Sequence, residues 1–112
     1  MRRLLLALLL FSSSASAQAW WGNSSTNGST TITLTNTFQS VFVAVKRGGC
    51  AIQNNGTHTM WVYFGAIANA TKAGSVVLSG GNMANCNVGN TTLVDQVSIT
   101  GTTGDAFYAD QW

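Results

Sequence analysis

The segment at residues 46–66 constrains the fold most, because two alternating runs of apolar side chains flank a cluster of turn-forming residues. Alternation with period two is typical of a β-strand that buries one face. The apolar positions predicted to face the core are Cys50, Ile52, Met60, Val62 and Phe64. The cluster NNGT at 54–57 favours a reversal of the chain. We therefore predict a β-hairpin whose two arms belong to a β-sandwich.

The beginning of the chain has the composition of a cleavable secretory signal peptide. Two arginines are followed by an apolar run at residues 4–11 and then by a tract of small residues. Cleavage after Ala17 and cleavage after Ala19 fit equally, so the mature chain would start at Gln18 or Trp20. The apolar run is far shorter than the roughly 20 residues that span a bilayer. We expect export to the periplasm, the medium, or a cell or virion surface.

The mature chain would hold one domain, since about 95 residues suffice for a single small core. We predict a flexible segment at residues 18–29 and a β-sandwich domain at residues 30–112. Period-two patterns and frequent turn signals are typical of a small antiparallel β-sandwich or jelly roll, here of seven or eight strands. Besides the hairpin arms, the predicted strands are residues 30–35, 41–45, 75–79, 83–88, 95–100 and 105–109.

Three segments carry more specific expectations. Ile32 and Leu34 would share one apolar face of the strand at 30–35. The continuously apolar run at 41–45 would be covered on both faces. Residues 66–73 contain alanines between two glycines, which favours a loop or one helical turn.

The two cysteines, Cys50 and Cys86, form an even pair in a chain predicted to be exported, so a disulfide is expected. In the chain-entropy model, closing a loop of 36 residues stabilises a domain by roughly 3–4 kcal/mol. Metal ligation is not expected, because two thiols and the single His58 lack the usual ligand spacing. Phosphate-cradling glycine motifs are also missing, so we predict no cofactor.

The distribution of charge excludes a basic surface of the kind that binds nucleic acid. After signal removal the three cations balance the three anions, and no basic stripe remains. These groups are Lys46, Arg47 and Lys72 against Asp95, Asp105 and Asp110. The aspartates are predicted to serve turns and the chain end, and His58 to be a solvated turn residue. With no recognisable catalytic set, we predict that the protein is not an enzyme.

The aromatic residues are the best functional indication. If Val62 faces the core, Trp61 and Tyr63 project from the opposite face, where exposed rings stack on sugars or bury against partners. A loop or the segment with Trp20 and Trp21 could instead cover them. The predicted interaction surface comprises these four aromatic residues, while Phe107 is predicted to be a core residue.

The motifs occur in an order that resembles a known group of proteins. They are TFQ and VF at 37–42, RGGCAIQN at 47–54, MWVYFG at 60–65, SVVL and GG at 75–81, CNVG at 86–89, and DQVSITG at 95–101. The chain from about residue 30 to residue 109 thereby resembles small β-sandwich accessory and structural proteins of tailed phages and prophages. This resemblance implies a virion-associated decoration or fibre-like module that works by binding.

Two function classes follow from these features. The preferred one is a non-enzymatic structural or interaction module that assembles through strand edges or through Trp61 and Tyr63, with itself or with another structural protein. The alternative is a secreted or periplasmic carbohydrate-binding β-sandwich that places a surface polysaccharide on the same aromatic residues.

Overall fold

A computed structural model describes residues 25–88, 91–92 and 94–112, and these form an all-β domain with two antiparallel sheets. The predicted small antiparallel β-sandwich is therefore confirmed. The strands are β1 (Thr26–Asn27), β2 (Thr30–Thr31), β3 (Gln39–Phe42), β4 (Cys50–Asn54), β5 (Met60–Phe64), β6 (Val76–Leu78), β7 (Met83–Asn85), β8 (Asn87–Val88), β9 (Thr91–Thr92), β10 (Val97–Thr100) and β11 (Ala106–Gln111). The predicted signal peptide, Trp20 and Trp21 lie outside the described residues.

Nine of the strands build the two main sheets. In the first sheet β1 and β2 both pair with β11, followed by β4 and then β7. The second sheet has the order β3, β10, β5, β6, and the strands β8 and β9 form a separate ribbon. The chain changes sheet after β2, β3, β4, β6 and β10, and between β7 and β10 it passes through the β8–β9 ribbon.

The predicted hairpin at 46–66 is wrong, because its two arms lie in different sheets. The strand β4 pairs with β11 and β7, whereas β5 pairs with β10 and β6. Asn54 explains the difference: its fully buried amide donates to the carbonyl of His58 at 2.7 Å and to that of Leu78 at 2.8 Å. Its Oδ1 accepts from the backbone N–H of Gly56 at 2.8 Å. The turn therefore crosses between the sheets.

The alternation itself predicts the core well. Four of the five apolar positions on the two arms are at most 1% exposed, and Phe64 is partly buried against the same cluster. The facing strands β10 and β11 add further buried side chains, including the predicted core residue Phe107. The cluster comprises Ile32, Phe42, Cys50, Ile52, Met60, Val62, Leu78, Ala84, Cys86, Val97, Ile99, Phe107 and Ala109.

The disulfide between Cys50 and Cys86 is present, as predicted. The two Cα atoms lie 5.0 Å apart, and both side chains are buried. The backbone N–H of Cys86 also donates to the carbonyl of Cys50 at 3.1 Å. The bond joins the start of β4 to the residue that follows β7, and such bonds persist in oxidising compartments, which is consistent with export.

The boundaries of the early strands differ from the predictions. Pairing with β11 already starts at Thr26, so the sheet begins inside the predicted flexible segment and four residues before the predicted domain start at residue 30. The strand at 30–35 ends at Thr31. Ile32 is buried, but Leu34 is 59% exposed, because the chain reverses at Asn36 with a φ of 57°.

The run at 41–45 is not covered on both faces. The strand β3 ends at Phe42, and Val43 and Val45 are 68% and 42% exposed. Here the chain leaves the second sheet, so the last valines of the run have no neighbouring layer.

The later segments agree more closely. Residues 83–88 divide into β7 and β8 around Cys86, and residues 66–73 contain a single 3-10 turn at Ile67–Asn69. No helix in the described part of the chain is both long and apolar enough to cross a membrane.

Candidate interaction surface

Trp61 and Tyr63 project from the outer face of the second sheet, opposite the buried Met60 and Val62. Both aromatic residues are half-buried. In the sheet register Trp61 lies between Thr100 of β10 and Val77 of β6. The outward orientation follows from the period-two pattern of β5.

The segment after β5 packs against these two rings. The Lys72 ammonium lies 3.9 Å from the centroid of the Trp61 ring and donates to Oδ1 of Asn36 at 2.6 Å. A cation over an aromatic face contributes about 0.5–1 kcal/mol at an exposed site. The chain's own loop therefore covers part of the predicted aromatic surface.

The Tyr63 ring has neighbours on several sides. Its ring and that of Phe38 meet edge to face with centroids 6.4 Å apart. A Cβ at Gly65 would come within 2.9 Å of Cε1 of Tyr63, and one at Gly74 within 3.4 Å of Cε2. These two glycines allow the backbone of the loop to approach the ring closely.

Two hydroxyl groups lie beneath the aromatic side chains. Ser98 and Thr100 share the outer face with Tyr63 and Trp61 by register, yet both are fully buried. Neither hydroxyl has a hydrogen-bond partner among the described residues. In the sequence these two residues are the polar positions of an alternating strand pattern. That pattern does not show that aromatic side chains cover them.

The edge strand β6 lies beside Trp61. Val77 shares the outer face with Trp61 and is 55% exposed, whereas Val76 pairs with the buried Val62, points to the inner face and is still 44% exposed because β6 is the edge of the sheet. An edge strand leaves a row of backbone N–H and C=O groups without a ladder partner. We call Trp61, Val76 and Val77 the β6 surface.

His58 and Asp105 form a pair at the turn between β4 and β5. The imidazole Nδ1 lies 2.8 Å from Oδ2 of Asp105, and the same oxygen accepts the backbone N–H of His58 at 3.1 Å. The His58 side chain is 60% exposed, in agreement with a solvated turn residue. The Asp105 carboxylate bonds to His58 in the turn between β4 and β5, rather than serving only the glycine-rich turn before its own strand, and this contact was not predicted. No group of three or more metal-ligating side chains occurs in the described part of the chain.

Arg47 is buried rather than displayed beside Lys46. Its guanidinium donates to the carbonyls of Val43 and Asp95 and to Oε1 of Gln111, each at 2.9 Å. Burial lowers the pKa of Arg47, and the nearby Asp95 carboxylate opposes that effect. The side chain still carries its charge at neutral pH. Arg47 therefore links three segments, a role that an adjacent pair of basic residues does not reveal.

Comparison with known proteins adds no family to these observations. No family model, no curated protein and no solved structure matches the chain. A function for this domain rests on its own surfaces.

Proposed function

We propose that the mature domain is a non-enzymatic interaction module that assembles with further copies of itself. The observation that carries this proposal is the β6 surface, where Val76 and Val77 are exposed at an unprotected sheet edge next to the half-buried Trp61. An open edge strand with exposed apolar side chains is a template for pairing with another chain.

The chemistry of the edge favours a second copy as the partner. Soluble proteins protect edge strands with charged residues, prolines or bulges. The segment at 75–79 reads SVVLS, and the chain contains no proline. Two β6 edges could pair about a two-fold axis, because the same residues then meet on both sides of the contact.

The proposed setting is outside the cytoplasm. The signal-like beginning of the sequence and the Cys50–Cys86 disulfide support a periplasmic, extracellular, or cell or virion surface location. The resemblance of the strand and turn motifs to tailed-phage accessory proteins suggests a decoration or fibre-like role for the assembly.

The alternative is a carbohydrate-binding module that uses Trp61 and Tyr63. Two half-buried rings on one sheet face support it. On this face, however, Lys72 already lies over the Trp61 ring, so a sugar would have to replace the ammonium group or use the remaining ring surface. Assembly through β6 requires no such displacement.

Val77→Lys tests the proposed assembly. We expect the mature wild-type protein to sediment as a dimer or larger species and Val77→Lys to sediment as a monomer, because a buried ammonium at the interface centre opposes association. Trp61→Ala and Tyr63→Ala should weaken the association. Sedimentation velocity over a concentration series measures these effects, and circular dichroism checks that each variant is folded.

The matched control is Val94→Lys, which changes an equally apolar side chain that is 51% exposed outside the β6 surface. This variant should associate like the wild type, as should His58→Ala and Asp105→Asn. A monomeric wild type, or unchanged association in Val77→Lys, would contradict the proposal.

A further inference from the structure

The outer face of the first sheet carries a second aromatic row on β11. Phe107 and Ala109 of this strand are buried, so the alternating Tyr108 and Asp110 project outward. Trp112 follows the end of the strand, exchanges backbone hydrogen bonds with Gly49 and continues the alternation. We call these three residues the β11 face. It belongs to the opposite sheet from Trp61 and is separate from the β6 surface.

The Trp112 indole rests against the backbone at Gly49. A Cβ at Gly49 would come within 2.7 Å of Cζ2 and 2.8 Å of Cε2 of the ring, so a glycine is needed for this close approach. The N–H of each residue also donates to the carbonyl of the other at 3.0 Å. Trp112 is 46% exposed. The ring is thus held in place while part of it remains accessible.

Polar groups lie between and beside the two rings. Oδ2 of Asp110 accepts from the Tyr108 hydroxyl at 3.4 Å, whereas Oδ1 is buried without a partner among the described residues and is out of reach of a ligand on the surface. By register, Asn27 lies opposite Asp110 and Gln53 lies opposite Tyr108, so both amides share this face. The hydroxyl groups of a ligand could bond to such groups.

A pocket of about 300 Å³ lies next to the indole and is lined by Lys46, Arg47, Gly48 and Trp112. This volume is at the lower end of the range for small-molecule sites. The charged residues of its lining are Lys46 and Arg47. A ligand here should be rich in hydroxyl groups that accept hydrogen bonds, and flat enough to stack on an aromatic ring.

We propose that the β11 face binds an extended polysaccharide chain. Tyr108 lies in β11 and Trp112 lies four residues later, directly after the strand, so in extended backbone their Cα atoms are separated by about 13–14 Å. The two rings would therefore contact different sugar units, and Asp110 and the amides would bond to the hydroxyls between them. The pocket would receive one unit beside the indole.

Binding to cellulose and chitin particles, and to their soluble hexasaccharides, tests this proposal. We expect the mature protein to bind at least one of the two polymers and to prefer its hexasaccharide to its disaccharide. Tyr108→Ala and Trp112→Ala should each weaken binding at least about tenfold, the usual effect of losing a central aromatic contact. Gly49→Ala should weaken it as well, since the added Cβ displaces the indole.

Val94→Lys is the matched control and should bind particles and hexasaccharide like the wild type, while Trp61→Ala and Val77→Lys should bind the soluble hexasaccharide, a single-site ligand, like the wild type. These variants separate the β11 face from the proposed assembly, which is measured independently by sedimentation. Circular dichroism checks the fold, and Trp112→Phe replaces Trp112→Ala if the latter does not fold. Absence of binding to all of these probes, or loss of hexasaccharide binding in Trp61→Ala with retention in the folded β11-face variants, would overturn the proposal.

Discussion

Val62→Asp is expected to unfold the domain, whereas Trp61→Ala should leave it folded. Val62 is 0% exposed and lies between the sheets in a cluster of buried apolar side chains. A buried carboxylate without a partner costs several kcal/mol of folding free energy, whether it stays charged or takes up a proton to become neutral. A small domain has about 5–15 kcal/mol of stability in total. The substitution should therefore remove most or all of the folded population.

Trp61→Ala should be much milder, although the residue is larger. The ring is half-buried, and its loss removes part of its apolar contact and the interaction with Lys72. The same change would admit water to the unpartnered hydroxyl of Thr100, which offsets some of the loss. Thermal melts followed by circular dichroism compare the two variants, with Val77→Asp as an exposed carboxylate control. Equal destabilisation by Val62→Asp and Trp61→Ala would show that both faces of β5 are core.

The faces of the strands could be predicted from the sequence because side-chain direction depends on local geometry. In an extended chain, neighbouring residues point to opposite sides whichever strand lies beside them. The pattern on residues 60–63 therefore identified Met60 and Val62 as inward and Trp61 and Tyr63 as outward. These orientations agree with the structure.

The partners of the strands depend on contacts between distant residues. A turn cluster such as NNGT permits a hairpin, but it does not require its flanking strands to pair with each other. Here the Asn54 amide bonds to Leu78, 24 positions along the chain, and fixes a crossing between the sheets. The sequence alone offers no signal for that contact.

The candidate surfaces also depend on contacts between distant residues that the sequence does not reveal. The outward position of Trp61 was predictable, but the position of Lys72 over its ring depends on the path of the following loop. Arg47 has a neighbouring lysine and no apolar pattern around it, so its burial among backbone carbonyls was not predicted. Polar residues of this kind become buried when the fold supplies their hydrogen bonds.

Replacing both Cys50 and Cys86 by alanine is expected to lower the free energy of unfolding by about 3–4 kcal/mol. The cross-link encloses the part of the chain that leaves the first sheet after β4, forms β5 and β6 of the second sheet, and returns as β7. In the unfolded state this loop of 36 residues would otherwise be unrestrained. For a domain of this size the loss corresponds to a melting temperature lower by roughly 12–30 °C.

Chemical and thermal unfolding of the mature protein measure this effect, with the wild type under reducing conditions as the matched control. Reduction and the double substitution should give similar losses, because both remove the same restraint on the unfolded chain. The hydrogen bond between the backbone of Cys86 and Cys50 does not need the sulfur atoms, so the variant should regain the same β-sheet spectrum at low temperature. If the double variant melts within a few degrees of the oxidised wild type, the crossing of the chain between the sheets is held by packing and by Asn54 rather than by the disulfide.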